Sequence, residues 1–193
     1  MRSAEFNKEH VLRQAMATFM QYGYNKTSMQ TLTKATGLHP GSIYCAFKNK
    51  KGLLLGAIEQ YQQDRNAQFE TLFSQHTTAQ NALSALLDVI VDECLNGESG
   101  QVCLLTKTLT ELEGQNDEIS SVLANNLISF ENSLAKVIQD GIERQEISAK
   151  PDAKERAQFL AMGIYGIRTY AATRRQAEIL RLLSDRLLAT VLT

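Results

Sequence analysis

The chain has 193 residues, of which 44% are hydrophobic and only two are proline, with 20 Lys and Arg against 21 Asp and Glu. This length and composition exclude a disordered chain and suffice for one large domain or two small ones. Because the prolines stand at positions 40 and 151, nearly every other stretch is free to form helix. That disfavours a sandwich or barrel of short strands and predicts an all-α fold.

Charge is distributed unevenly along the chain. Residues 1–52 carry eight basic and two acidic side chains, a net charge of +6, whereas residues 53–193 carry 12 basic and 19 acidic ones, a net charge of −7. A short basic unit ahead of a longer acidic one is typical of a head that binds a polyanion on a body with another task. An uneven surface without function gives the same counts, so charge alone leaves both interpretations open.

Cysteine usage and hydropathy indicate a reducing, aqueous compartment. The three cysteines do not make a disulfide framework, and we find neither a secretory leader nor an apolar run of roughly 20 residues. We therefore expect a cytoplasmic protein with no membrane partner.

Three short helices are predicted in the basic segment. Apolar residues recur at helical spacing over residues 7–22, and Gly23 ends this first helix. Thr27 and Gln30 form a candidate capping box for a second helix over residues 28–36. Pro40 suits the first turn of a third helix that ends near residue 47. Two short helices joined by a turn that contains glycine are typical of a helix-turn-helix DNA-binding motif.

Lysines cluster where a fourth helix is predicted to begin. Lys48, Lys50 and Lys51 stand at a helix N-terminus, where the macrodipole disfavours positive charge by about 0.3–1 kcal/mol. Phosphate oxygens would remove that penalty, which suggests contacts with a nucleic-acid backbone. A solvated lysine cluster is the alternative.

The stretch over residues 27–53, TSMQTLTKATGLHPGSIYCAFKNKKGL, resembles the N-terminal DNA-binding domain of the TetR/AcrR transcriptional regulators. It has the threonine that opens helix 2, the glycine of the turn, the Gly-x-x-Tyr-x-x-Phe pattern of the recognition helix and the Phe-x-x-Lys-x-x-Leu pattern that enters helix 4. The resemblance implies that Thr27, Tyr44 and Lys50 contact phosphates, that Lys48 and Lys51 assist, and that Gly41 and Ser42 lie at the groove. The full predicted DNA-binding set is Thr27, Ser28, His39, Pro40, Gly41, Ser42, Tyr44, Lys48, Lys50 and Lys51.

His39 and Ala46 depart from the family pattern. Family members often have a small polar N-cap residue at the position of His39 and a histidine or another aromatic residue at the position of Ala46. His39 could cap helix 3, contact a phosphate or be a plain surface residue, and Ala46 could contact a thymine methyl group.

The remaining chain is predicted to be a helical body. Helix 4 is expected over residues 50–73, followed by helices over 79–95, 102–112, 116–144, 152–173 and 175–192, about nine in all. We place the domain boundary after residue 52: a helix-turn-helix domain over 1–52, with its motif at about 28–47, and an effector-binding and dimerisation domain over 53–193. The resemblance implies a homodimer through the last two helices, whose broad apolar surface is compatible with it. Burial within one chain is the alternative.

Effector-binding residues are assigned less directly. The apolar and aromatic candidates in the body are Cys103, Phe130, Phe159, Met162 and Tyr165. The segment around Cys103 is similar to a Gly-Cys-Leu helix opening in one branch of the family, some of whose members sense oxidants through this cysteine. A helix N-terminus and Lys107 would favour a Cys103 thiolate, and Cys94 is a candidate resolving partner. An inert buried cysteine is the competing interpretation.

Enzyme signatures are missing from the sequence. His10, His39 and His76 are scattered, and there is neither a phosphate-binding glycine loop nor a nucleophile elbow. We expect no catalytic residues, no metal and no cofactor. The sequence thus predicts a homodimeric DNA-binding regulator, most often a repressor in this family, that leaves a palindromic operator when a small-molecule or redox effector acts. A non-enzymatic helical adaptor whose basic head binds an acidic protein is the alternative.

Overall fold

The computed structural model describes residues 6–97, 104–112 and 116–193. In these ranges the chain forms nine helices and no strand, which confirms the predicted all-α fold. The helices are α1 (Lys8–Tyr22), α2 (Met29–Thr36), α3 (Pro40–Phe47), α4 (Lys50–Ser74), α5 (Ala79–Asn96), α6 (Leu104–Leu112), α7 (Asp117–Glu143), α8 (Ala153–Ala171) and α9 (Ala177–Leu192). The described helices include none that is both long and apolar enough to cross a bilayer.

The chain divides into two compact units. One comprises Met1–Arg65 with Gln101–Leu123, and the other comprises Asn66–Gly100 with Ala124–Thr193. This division differs from the predicted boundary after residue 52. The reason is that α4 runs without interruption through that position and α6 packs against α1, which brings a later part of the chain into the first unit.

The first unit is built on a small apolar core. Helix α1 packs against α2 and α6, and α2 packs against α3. The core side chains, all less than a tenth exposed, are Val11, Leu12, Ala15, Phe19, Leu32, Ile43, Phe47, Leu53, Leu54, Ala57 and Ile58. Their burial supplies the main force that holds three short helices together, since helices of eight residues are marginal alone.

The cap of α2 differs from the prediction by one residue. Ser28, not Thr27, occupies the N-cap position, and its Oγ accepts a hydrogen bond from the Thr31 N–H at 3.0 Å. Thr27 is only 1% exposed, and its hydroxyl donates to the carbonyl oxygen of Gly23. The predicted capping box was therefore wrong, because Thr27 belongs to the core-facing side of the turn.

In the second unit, α5, α8 and α9 pack against one another around a continuous apolar core. Gly163 of α8 allows a close approach to α9, since a Cβ at this position would lie 2.5 Å from the side chain of Leu187. Asp152 caps α8 by accepting a hydrogen bond from the Glu155 N–H at 2.9 Å. Gly163 therefore serves packing within the chain, whereas a Cβ at Gly166 would have no described atom within 4 Å.

Candidate nucleic-acid interface

The turn between α2 and α3 fixes the geometry of the helix-turn-helix motif. Gly37 ends α2 at φ +70°, a left-handed conformation that glycine adopts at little cost, and its N–H donates to the Thr33 carbonyl oxygen at 3.0 Å. Pro40 occupies the first turn of α3, as predicted. Leu32 of α2 and Ile43 of α3 have no exposed surface. These two side chains hold the helices in one relative orientation and leave the opposite face of α3 uncovered.

The uncovered face of α3 and its N-cap carry half of the predicted DNA-binding residues. His39, Pro40, Gly41 and Tyr44 lie at least partly exposed, Tyr44 to 50%, and Ser42 is half-buried. Helix α3 contains no acidic residue, so its positive N-terminal end is not neutralised from within. The face can therefore approach a polyanion without charge repulsion from its own side chains.

His39 stands at the N-cap position of α3 but makes no side-chain capping hydrogen bond. The interpretation of His39 as a helix cap is therefore not supported. The imidazole of His39 is exposed. This exposure is compatible with the two other interpretations, a phosphate contact and a plain surface residue. Ser28 and Lys48 are exposed as well, at the N-cap of α2 and the C-cap of α3.

Three residues with predicted phosphate contacts have hydrogen-bond partners inside the protein. Lys50 donates from Nζ to the carbonyl oxygens of Tyr24 at 2.9 Å and Thr27 at 3.0 Å. Lys51 forms an ion pair with Glu118, with 2.6 Å between Nζ and Oε2. In the protein without DNA, Lys50 and the buried hydroxyl of Thr27 stabilise the α1–α2 turn, and the charge of Lys51 is partly satisfied by Glu118 of α7. The phosphate contacts of these three residues stay predictions.

Helix α6 contributes two side chains whose contacts with the end of α1 and the turn after it were not predicted from the sequence. Lys107 donates from Nζ to the carbonyl oxygens of Met20 at 2.8 Å and Gln21 at 3.1 Å. Glu111, one turn later, accepts a hydrogen bond from the Asn25 N–H at 3.0 Å. The available sequence signal was indirect: α1 has no basic residue in its last turn, so its negative C-terminal end needs a cation from elsewhere.

An ion pair ties α1 to α4 within the same unit. Arg13 donates from Nε and from a terminal guanidinium nitrogen to the two carboxylate oxygens of Asp64, at 2.9 and 2.7 Å. This bidentate hydrogen bond lowers the pKa of Asp64, against the opposing effect of partial burial. Gln60 adds a third donor at 2.9 Å. The pair therefore keeps the first helix aligned with α4.

The predicted effector residues do not come together as one group. Phe130 lies between Phe69, at a centroid distance of 5.5 Å, and Tyr165, which it meets edge-on at 6.4 Å. Phe159 and Met162 are instead 41% and 61% exposed. Phe130 and Tyr165 thus form an aromatic cluster, whereas Phe159 and Met162 lie on an outer face. Cys103 falls outside the described residues.

Helices α8 and α9 present an exposed apolar surface. Phe159, Met162, Leu182 and Leu183 are all more than a third exposed. Beside them runs an open groove of about 300 Å³, lined by Gly163, Gly166, Ile167, Tyr170, Leu183 and Leu187. The other side of α9 is buried in the core through Leu180, Leu187 and Val191. Helix α9 is thus covered on one side within the chain and uncovered on the other.

The cysteines that the structure describes are free thiols. Cys94 is half-buried, and burial raises its pKa above that of an ordinary thiol. A raised pKa disfavours the reactive thiolate, which weakens the predicted role of Cys94 in redox sensing. Cys45 is exposed on α3. Among the described residues, no cluster of His, Cys, Asp and Glu has the arrangement of a metal site.

One buried polar atom has no hydrogen-bond partner within the described ranges. It is the side-chain oxygen Oε1 of Gln62, on α4. A buried unsatisfied acceptor costs on the order of 1–3 kcal/mol. Such an atom is a candidate contact for a bound molecule with a hydrogen-bond donor.

Comparison with known proteins agrees with the geometry. A family model described as "Bacterial regulatory proteins, tetR family" matches residues 11–57, and a "Tetracyclin repressor-like, C-terminal domain" model matches residues 79–185. The HTH-type transcriptional repressor ComR of Escherichia coli K12 is 27% identical over 163 residues, which cover 84% of this chain and 78% of ComR.

Solved structures extend the likeness to the whole fold. A cysteine variant of the TetR family transcriptional regulator CifR, in complex with 26-bp double-stranded operator DNA, superposes with a TM-score of 0.84 at 25% identity and covers 98% of both chains. A second CifR variant with operator DNA gives a TM-score of 0.86 at 24% identity, over 97% of this chain and 98% of that one.

Proposed function

This chain belongs to the TetR family of bacterial regulatory proteins, and on that premise we propose that it is a homodimeric repressor that leaves a palindromic operator when an effector binds. Members of the family are transcriptional regulators that bind DNA through a helix-turn-helix domain, and this chain is a DNA-binding regulator of that kind. Repression, dimerisation and release by an effector are proposals. As a bacterial regulator of transcription, the protein would act in the cytoplasm.

The uncovered face of α3 is the observation that carries the proposed DNA contact. We assign the contact to Ser28, His39, Pro40, Gly41, Ser42, Tyr44 and Lys48, all of which are exposed or half-exposed. The Tyr44 hydroxyl and the Lys48 ammonium suit phosphate oxygens, and the N-terminal turn of α3 suits a groove edge. The operator complexes of CifR support a duplex as the partner.

The outer face of α8 and α9 is the proposed dimer interface. Its exposed apolar side chains include Phe159, Met162 and Leu182, which a monomer in water would leave uncovered. A two-fold dimer through this face would present two α3 helices to half-sites separated by about 34 Å or a multiple, which requires a roughly palindromic operator.

Effector release needs a molecule that binds the DNA-free state better than the DNA-bound state. We place one candidate contact at the aromatic cluster of Phe130 and Tyr165, which favours an apolar molecule. A separate candidate is the Gln62 oxygen, which favours a molecule with a hydrogen-bond donor. A redox effector is the weaker variant, because burial raises the pKa of Cys94.

The proposed interface is tested by substituting two tyrosines of matched exposure. Tyr44 on α3 is 50% exposed and Tyr22 at the end of α1 is 47% exposed. With a duplex recovered from a random-sequence pool, Tyr44→Phe should bind about 10-fold more weakly per dimer, which corresponds to one hydrogen bond removed from each protomer. Tyr22→Phe should bind as the unaltered protein does.

Equal duplex affinity of Tyr44→Phe and the unaltered protein would mean that the Tyr44 hydroxyl does not contact DNA. Failure of the unaltered protein to prefer any duplex sequence would overturn the proposed operator binding and favour the adaptor with a basic head.

A further inference from the structure

The C-terminal end of α1 lacks a cation of its own. Its last turn contains no basic residue, although the final carbonyl groups of a helix carry partial negative charge and have no partner within the helix. The Lys107 ammonium on α6 lies against two of these carbonyls, those of Met20 and Gln21. A side chain more than 80 residues away in sequence therefore completes the end of α1.

Glu111 contacts the turn that follows α1. Its Oε2 accepts a hydrogen bond from the Asn25 N–H at 3.0 Å. The carboxylate also fills the space beside Gly23, where a Cβ would lie 1.8 Å from Oε1. Since Lys107 and Glu111 are four residues apart on one helix, they face the same side of α6. We call this pair the α6 clamp.

Lys50 contacts the same turn, through the carbonyl oxygens of Tyr24 and Thr27. The peptide groups between Met20 and Thr27 are thus held by three charged side chains, two of which belong to the α6 clamp. Ser28 and α2 follow directly, and α2 packs against α3. The position of α3 therefore depends on a turn that side chains of α4 and α6 hold in place.

We propose that Lys107 and Glu111 are positioning residues for operator binding: without touching DNA, they fix the α1–α2 turn and thereby the orientation of α2 and α3. This inference rests on the proposed function, because it concerns the affinity of a DNA-binding helix. Withdrawal of α6 breaks three hydrogen bonds to the end of α1 and the following turn at once.

The test uses Lys107→Met, which keeps the length of the side chain and removes its charge. Operator affinity is measured at several salt concentrations. We expect affinity to fall by about 10-fold with an unchanged salt dependence, since removal of a direct phosphate contact would reduce the slope of log K against log salt by about 0.9. Lys107→Arg, which can donate to the same carbonyls, should restore affinity.

Matched controls separate positioning from charge. Lys154→Met, at an exposed position on α8, is the control and should change neither the operator affinity nor its salt dependence. Glu111→Gln should weaken operator binding, although it removes a negative charge that would repel DNA. The double variant should be weakened by less than the sum of the two single effects, because both residues hold the same turn.

Hydrogen exchange supplies a readout that does not need an operator. Amides of residues 23–36 should exchange faster in Lys107→Met, while those of α5 and α9 keep their rates. Unchanged exchange in residues 23–36, unchanged affinity, or a reduced salt slope in Lys107→Met would each overturn the proposal. If the unaltered protein prefers no DNA sequence, the proposed function fails. If hydrogen exchange still rises in Lys107→Met in that case, the α6 clamp only stabilises the fold, and its positioning role in operator binding is overturned as well.

Discussion

The ammonium nitrogen of Lys50 lies 4.2 Å from the centre of the Tyr24 ring and 2.9 Å from the Tyr24 carbonyl oxygen. A lysine whose place in a DNA-binding motif predicts a phosphate contact therefore stabilises the turn that precedes α2. The cation–π contact and two charge-assisted hydrogen bonds make this placement favourable in a half-buried setting.

Replacement of Lys50 should affect stability more than salt dependence. Lys50→Met is expected to lower the free energy of unfolding by about 1–3 kcal/mol, since it leaves two carbonyl groups without this donor. Urea unfolding measures the decrease. The exposed Lys48→Met is the control and should instead reduce the salt slope of DNA binding with little change in stability. Unaltered stability together with a reduced salt slope of DNA binding in Lys50→Met would indicate that Lys50 contacts DNA.

Gly41 offers a variant that separates folding from binding. A Cβ at this position meets no described atom within 4 Å in the free protein, and the residue lies within a helix. Gly41→Ala should therefore raise the free energy of unfolding by about 0.5–1 kcal/mol through helix propensity. It should also weaken operator binding, because the added methyl group would meet the groove edge. A variant that is more stable and binds equally well would place Gly41 away from DNA.

The apolar face of α8 and α9 predicts a charge-sensitive dimer. Met162→Lys introduces a charge at the most exposed large apolar residue of α8, at 61%. Sedimentation should show a monomer, because burial of an unpaired ammonium in an apolar interface is costly. Leu109→Lys, at an exposed position on α6, is the control and should stay dimeric. A dimeric Met162→Lys would contradict the proposed interface.

Two glutamines on α4 should respond in opposite directions to the same substitution. Gln62→Leu removes a buried acceptor that has no described partner and should stabilise the protein by about 1 kcal/mol. Gln60→Leu removes the donor to Asp64 at 2.9 Å and should destabilise it. Thermal or urea unfolding measures both changes. If Gln62 also contacts the effector, Gln62→Leu will bind operator normally and fail to respond to the molecule. Destabilisation by Gln62→Leu would mean that its oxygen has a partner in the folded protein.

Local features of the sequence predicted the helices well. Periodic apolar residues, glycines at helix ends and Pro40 placed the helix bounds within a few residues, because these signals act over one or two turns. The uncovered face of α3 lies opposite Ile43 and Phe47, which are buried in the core of the first unit. The one-residue error at the α2 cap arose because Thr27 and Ser28 are both good capping residues and only packing separates them.

Partners at long range could not be predicted from spacing. Lys107 and Met20 are 87 residues apart, and nothing in the sequence near Lys107 indicates a helix end as its partner. The effector residues show the same limit: Phe159 and Met162, three residues apart on α8, share a face, and their spacing does not tell that this face is exposed. Helical periodicity tells which residues share a face, but the neighbouring helix decides whether that face is covered.

The central claim is that this chain recognises DNA sequence through α3 as a dimer. The most direct measurement is to bind the protein to fragmented genomic duplex at about physiological salt and to sequence the retained fragments. We expect enrichment of one inverted repeat whose half-site centres lie about one helical turn, roughly 10–10.5 bp, or a multiple apart. Retention of fragments without sequence preference would contradict the claim.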